Sequence, residues 1–244
     1  EYAIVIIGSA AGTAKETIRR MREQGKKVGL LKIRVFRPFP EEEIAEALKN
    51  VNFSVEEGEY DPDKVFDWIK SRVGKLEAIV FSGGEALMQS DVAIDYMKRV
   101  KDLGFAVGLH TNGFYPELLK KVSDIVDWVG LDFKATRENY KDLTKIDVAY
   151  DRMIESLKYW VSTGNGLEVR TTCDPRYVSK QDLLEIAQIV YDMGVRNFAV
   201  QKYTPYHEET DKTTTPAMRE QFFNDDELKT KIESLFESVI WRNS

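Results

Sequence analysis

The amino-acid sequence predicts an α/β protein: a parallel (βα)8 TIM-like barrel in a single domain. Three observations predict it. Short β-branched runs alternate with longer helical patterns, which implies a parallel sheet. Eight such strand–helix units can be traced along the chain. They occupy 244 residues, a usual size for a closed barrel of this kind. An open doubly wound sheet is the alternative. The apolar share of 43% suffices for a sizeable core.

The units read as follows. AIVIIGS (3–9) is a strand, and TAKETIRRMREQG is a helix with late basic residues and Gly25 as its stop. VGLLKIRVF (28–36) leads through RPFP to the helix EEEIAEALKN. Its acidic start, Glu41 to Glu43, suits a helix N-terminus. VNFSVEE (51–57) is a weaker strand, and Asp61 and Pro62 open the helix DPDKVFDWIKSRV. LEAIVFSG (76–83) and FAVGLHT (105–111) are strands flanking a helix over 90–103, and PELLKKVSDI is the next helix. VDWVGLDFK (126–134) is a strand, then come a loop and a long helix near 148–163. LEVRTTC (167–173) and RNFAVQKY (196–203) are strands with the helix SKQDLLEIAQIVYDMG between them. A long polar connection leads to a last helix, DDELKTKIESLFESVIW. That connection exceeds common loop lengths and suits a lid. Phe222, Phe223, Trp241 and Tyr159 fall at spacings that suit helix packing.

Composition excludes several classes. A net charge of −6 and a pI near 5.2 argue against nucleic acid as the main partner. No apolar run is long enough to span a membrane, and EYAIVIIGS reads as a strand and not as a leader. One cysteine, Cys173, can form no internal disulfide. A half-buried thiol in a reduced, cytoplasmic protein is the expectation. Oligomeric state stays open.

Two different families share the chain. GSAAGTAKE and VGLLKIRVFRPFP, within residues 2–50, resemble the α chain of pyruvate:ferredoxin oxidoreductase, an open-sheet α/β protein. From about residue 51, FSGGEALMQ, LHTNGF, WVGLDFKA, LEVRTT and YTPYHE resemble radical S-adenosylmethionine (SAM) activating enzymes, of the type that acts on pyruvate formate-lyase or anaerobic ribonucleotide reductase. The resemblance implies two open-sheet βα units (1–50) joined to a (βα)6 partial barrel (51–244). An assembled, engineered hybrid is the expectation from that join.

Candidate site residues gather at the C-terminal ends of strands, where barrel active sites are built. Ser82, Gly83, Gly84 and Glu85 follow the fourth strand, where glycine lets the backbone approach a ligand; a tight turn is the plainer reading. The resemblance implies that this segment holds the amino group of SAM. Asp132 and Lys134 share a face of the sixth strand by period two. The resemblance implies contact with SAM, and an ion pair at the rim is the alternative. Arg170 and Thr172 share a face of the seventh strand; the arginine suits a carboxylate or a salt bridge. Thr111 and Asn112 stand where they can line the pocket, and His207 in YTPYHE matches a histidine beside the nucleoside. His110 departs from the activating-enzyme pattern, where an aspartate is common. GSAAGTAKE lacks a full phosphate-loop pattern, so Ser9 or Thr13 as a helix cap is the plainer reading.

The resemblance also implies a CxxxCxxC loop holding a [4Fe–4S] cluster. The sequence reads EEGEYDPDK in its place. Thiolates suit iron, and Cys173 lies on another strand. The expectation is therefore a non-catalytic barrel, not an enzyme, with no [4Fe–4S] cluster and at most weak SAM or other small anionic or nucleoside binding. Two alternatives stay in play: a SAM-binding module, and a Schiff-base enzyme using Lys134 with Asp132 or Glu85 as acid or base.

Overall fold

The computed structural model describes residues 2–7, 28–33, 62–83, 85–205 and 213–243, the first two segments as backbone alone. The described strands form two parallel sheets. β1 (Tyr2–Ile7) pairs with β2 (Val28–Ile33), with Tyr2 opposite Val28. The other six follow one another in chain order: β3 (Ala78–Phe81), β4 (Ala106–Thr111), β5 (Trp128–Asp132), β6 (Gly166–Cys173), β7 (Asn197–Lys202) and β8 (Ser238–Arg242). A parallel α/β architecture is thus as the alternating pattern predicts.

Closure into one eight-stranded barrel is not what the described residues form. β7 pairs with β6 on one side and β8 on the other. The strand expected over 196–203 therefore has no open edge left for the strand expected over 3–9. The expected strand 51–57 lies outside the described residues. β8 itself corrects the reading of 226–241 as one helix. That helix stops at Glu233, and Ser238–Arg242 pairs parallel with β7, Ala199 opposite Ile240.

Two compact units divide the chain, Glu1–His110 with Asp124–Asp127, and Thr111–Ser123 with Trp128–Ser244. In the first, α1 (Pro62–Lys70), a 3-10 turn (Ala86–Gln89) and α2 (Ser90–Asp102) accompany β3 and β4. Phe66, Leu87, Met97, Val100, Val107 and Leu109 are buried there. Arg99 lies over the Phe66 ring at 3.8 Å, and Tyr96 meets that ring edge-on at 6.1 Å. Asp127 joins α2 to β4: its carboxylate accepts from Lys101 Nζ and, at 2.7 Å, from the Val107 N–H.

In the second unit the described helices are α3 (Pro116–Val122), α4 (Arg137–Thr144), α5 (Ala149–Thr163), α6 (Lys180–Asp192), α7 (Pro216–Glu220) and α8 (Asp226–Glu233). Their ends follow from local chemistry. Ser179 and Asp182 form a reciprocal capping box at α6. Asp225 caps α8 through the Leu228 N–H, and Thr215 caps α7 just before Pro216. Gly164 and Lys145 end α5 and α4 in the left-handed conformation. The core is aromatic near β5 and near β7. Phe133, Tyr140 and Tyr150 meet pairwise edge-to-face, with centroids 5.4–6.5 Å apart. Phe198 stacks on Phe236 at 5.0 Å. Among the described residues no helix is long and apolar enough to cross a membrane.

Candidate functional site

The second unit holds the tightest cluster of expected site residues. Asp132 closes β5 and stands opposite Arg170 in the β5–β6 register. Arg170 donates to Asp132 Oδ1 twice, from Nη2 at 2.6 Å and from Nε at 3.0 Å. Lys134 Nζ lies 3.6 Å from Asp132 Oδ2. The side chains differ sharply in exposure: Arg170 6%, Asp132 34%, Lys134 37%. A buried guanidinium thus orients a half-exposed carboxylate, and a lysine flanks it at the solvent edge.

Local packing explains why the three converge. Phe133, between Asp132 and Lys134, is fully buried. Alternation along an extended backbone then sends its two neighbours to the opposite face. Its N–H donates to the Arg170 carbonyl at 2.8 Å, and Thr171 Oγ1 donates to its carbonyl at 2.9 Å. These bonds extend the β5–β6 pairing one residue past the strand and fix Asp132 against Arg170. Tyr140, on α4, packs under this segment. Burial, and secondarily the charge of Asp132, pushes its hydroxyl well above the ordinary tyrosine range.

The sequence reading missed Tyr140 and its helix. RENYKDLT has one buried side chain, Tyr140, so it shows little apolar periodicity. Thr136 at the position before the helix, with Glu138 in the first turn, was the available signal.

Thr111 and Asn112 belong to the same unit and build a turn. Thr111 Oγ1 accepts from the Gly113 N–H at 3.1 Å, and Asn112 Oδ1 accepts from the Phe114 N–H at 2.9 Å. Gly113 has φ +73, and an added Cβ would lie 3.3 Å from the Met153 Cα. Ser156 Oγ donates to the Gly113 carbonyl at 2.7 Å. Thr172 Oγ1 donates to Gln201 Oε1 at 3.2 Å across β6 and β7.

In the first unit, Ser82 Oγ lies 3.3 Å from His110 Nδ1. Gly83 sits at φ +151, a conformation that favours glycine. Glu85 caps the 3-10 turn: Oε1 accepts from the Leu87 N–H at 3.3 Å, and its carbonyl accepts from the Met88 N–H. Gly84 and His207 lie outside the described residues.

The description "Pyruvate:ferredoxin oxidoreductase core domain II" matches residues 1–60, and "Radical SAM superfamily" matches residues 51–174. A glycyl-radical enzyme activating enzyme of Methanocaldococcus jannaschii is 29% identical over 153 residues, covering 59% of this chain and 63% of that protein. Pyruvate synthase subunit PorA of Methanothermobacter thermautotrophicus is 34% identical over 139 residues, covering 54% of this chain and 31% of that protein. The chain therefore spans under two thirds of the length of these relatives.

Among solved structures, a domain of a pyruvate-formate lyase-activating enzyme from Bacteroides vulgatus aligns with TM-score 0.53 and 12% identity, over 68% of this chain and 99% of that one. Streptococcus suis SuiB bound to S-adenosylmethionine aligns with TM-score 0.57 and 14% identity, over 77% of this chain and 45% of that one. At such identities the likeness concerns the fold.

Two expectations are corrected by these findings. The chain does not stand as a non-enzyme: the superfamily match and the activating-enzyme relative point to an enzyme. Nor does the expectation of no cofactor and no [4Fe–4S] cluster stand. The superfamily normally uses both the cluster and SAM, and a structural neighbour is bound to SAM.

The residues of this chain fit the two groups unequally. The rim cluster of Asp132, Lys134 and Arg170 offers charged donors and an acceptor suited to SAM. For three cluster thiolates the sequence supplies one cysteine, Cys173. It is fully buried on β6, not half-buried, and burial pushes its thiol well above the ordinary range. Among the described residues no three His, Cys, Asp or Glu side chains are grouped to hold a metal. The one cysteine and the described residues thus do not supply a three-thiolate set for the cluster. Matched over residues 51–174, just over half its length, and folded as a six-stranded parallel α/β sheet, the chain belongs to the Radical SAM superfamily.

Proposed function

We propose that the chain is the SAM-binding portion of a radical SAM enzyme of the activating-enzyme type. The single observation that carries this reading is the Asp132 carboxylate, held by the buried Arg170 and flanked by Lys134 at the end of β5. SAM carries a ribose diol, a carboxylate and an ammonium group. Asp132 accepts from the ribose hydroxyls. Lys134, paired with Asp132 at the solvent edge, supplies the cation for the carboxylate of the ligand. Arg170 keeps Asp132 oriented and is a positioning residue. Thr111 and Asn112, in the same unit, keep the pocket-lining role that the family resemblance implies. A small nucleoside ligand, and not nucleic acid, also agrees with the acidic composition.

The reading includes a hybrid origin, supported by two family descriptions that share only residues 51–60. A cytoplasmic setting goes with it, supported by a buried thiol without a disulfide partner. No observation favours a Schiff-base reading, since Lys134 stands in an ion pair at the rim.

Thermal melting with and without SAM tests the proposal. SAM should raise the midpoint of the wild type. Lys134→Ala should weaken the shift with little effect on the unliganded midpoint, because Lys134 is half-exposed and its pair with Asp132 is a rim pair. Asp132→Asn should abolish the shift while keeping an acceptor for Arg170. Equal SAM shifts in wild type and both variants would sink the assignment.

A further inference from the structure

The aromatic cluster behind the charged rim contains one group that packing does not explain. Tyr140, on α4, is 2% exposed. Its ring meets Phe133 edge-on at 6.5 Å and Tyr150 at 5.4 Å. A phenylalanine ring would make both contacts equally well. A hydroxyl carried into such a cluster costs free energy unless it is hydrogen-bonded. The partner of that hydroxyl therefore says what it is for.

The partner is the backbone of the site itself. Pairing of β5 with β6 continues to Phe133, whose N–H reaches the Arg170 carbonyl at 2.8 Å. The next N–H, that of Lys134, donates to the Tyr140 hydroxyl oxygen. The hydroxyl also stands within the field of the Asp132 carboxylate. Tyr140 thus holds the chain where it leaves the sheet, between the Asp132 and Lys134 side chains.

Its own support is firm. Arg137 covers the Tyr150 ring at 4.3 Å, on the helix turn before Tyr140. Asn139, beside Tyr140, donates from Nδ2 to the Tyr177 carbonyl at 3.1 Å and so ties α4 to the segment after β6. Lys134 is the opposite case. Its long side chain is half-exposed and held by a rim pair of 3.6 Å. A lysine loses much rotamer freedom on binding, so the place from which it starts matters.

We propose that Tyr140 is a positioning residue of the SAM site. Its hydroxyl fixes the Lys134 backbone, and with it the point from which Lys134 meets the carboxylate of the ligand. This inference rests on the SAM reading above.

Isothermal titration of SAM, below the melting range of the whole chain, compares the wild type, Tyr140→Phe, Lys134→Ala and the double variant. Tyr140→Phe keeps the ring and removes the hydroxyl. Its Kd should rise about tenfold, the order expected for one such hydrogen bond. In the Lys134→Ala background the same change should alter Kd by less than about twofold, because the group it positions is gone. A purely structural tyrosine would lower the melting midpoint and leave Kd unchanged. That result, or an equal loss in both backgrounds, would overturn the proposal. A wild type that takes up no SAM ends the SAM reading and this inference together. A wild type that binds, with Tyr140→Phe binding as well, ends this inference alone. If Tyr140→Phe does not fold, hydrogen exchange at the Lys134 amide of the wild type decides. Slow exchange, slowed further by SAM, supports the role, and exchange that SAM leaves unchanged overturns it.

Discussion

At the scale of single residues, charge and backbone conformation give the sharpest consequences. Asp127 is held below the ordinary carboxylate value of 3.8: burial alone would raise it, but Lys101 and the Val107 N–H outweigh that. A carboxylate held low adds stability above its ordinary value, and this is lost as the pH falls through its folded value. Asp127→Asn should therefore cost about 1 kcal/mol at neutral pH, discounted for its partial exposure. The gap to wild type should close as the pH drops from about 4 towards 2. Urea midpoints at the two pH values measure this, and a gap that stayed constant would contradict it. Lys145 gives an independent case. It is the one described non-glycine residue with positive φ, +62, and it is exposed. Lys145→Gly should stabilise by about 0.5–1 kcal/mol, because glycine enters that conformation without strain. A lower melting midpoint would count against it.

At the scale of elements, legibility followed periodicity and caps. The strands at 76–83, 105–111, 126–134, 167–173 and 196–203 were readable because each is a short β-branched or apolar run between turn signals, and the structure has β3 to β7 there. The helix at 180–192 was readable from Ser179 and its amphipathic spacing. Ser179→Ala should cost about 1 kcal/mol, the usual worth of such a cap, as read by urea unfolding. A change within error would mean that the capping box is not formed. β8 was misread because KIESLFESVIW continues a helical spacing without a break. Its β-branched and aromatic end, SVIW, was the signal for a strand. Within the site, the Asp132–Lys134 ion pair and the bridge from Arg170 were readable from period two. Which carboxylate Arg170 would take depends on the β5–β6 register, which no single segment encodes. An ion pair between Glu168 and Arg242 was illegible for the same reason: its partners come together only once β8 joins β7.

At the scale of the whole molecule, the chain carries a Radical SAM half and a segment related to pyruvate:ferredoxin oxidoreductase. Eight strand–helix units suggested one closed barrel, yet the described strands divide into a pair and a six-stranded sheet. Counting units does not reveal which edges meet, because pairing between distant strands rests on long-range contacts. The cysteine count bears on chemistry in a different way. It limits what these residues supply to iron, and the charged rim proposed to bind SAM uses none of that sulfur. Isothermal titration of SAM into the whole folded chain tests the central claim most directly. The account predicts one saturable binding event, lost in Asp132→Asn. A folded wild type giving no heat beyond dilution at several millimolar SAM would contradict it.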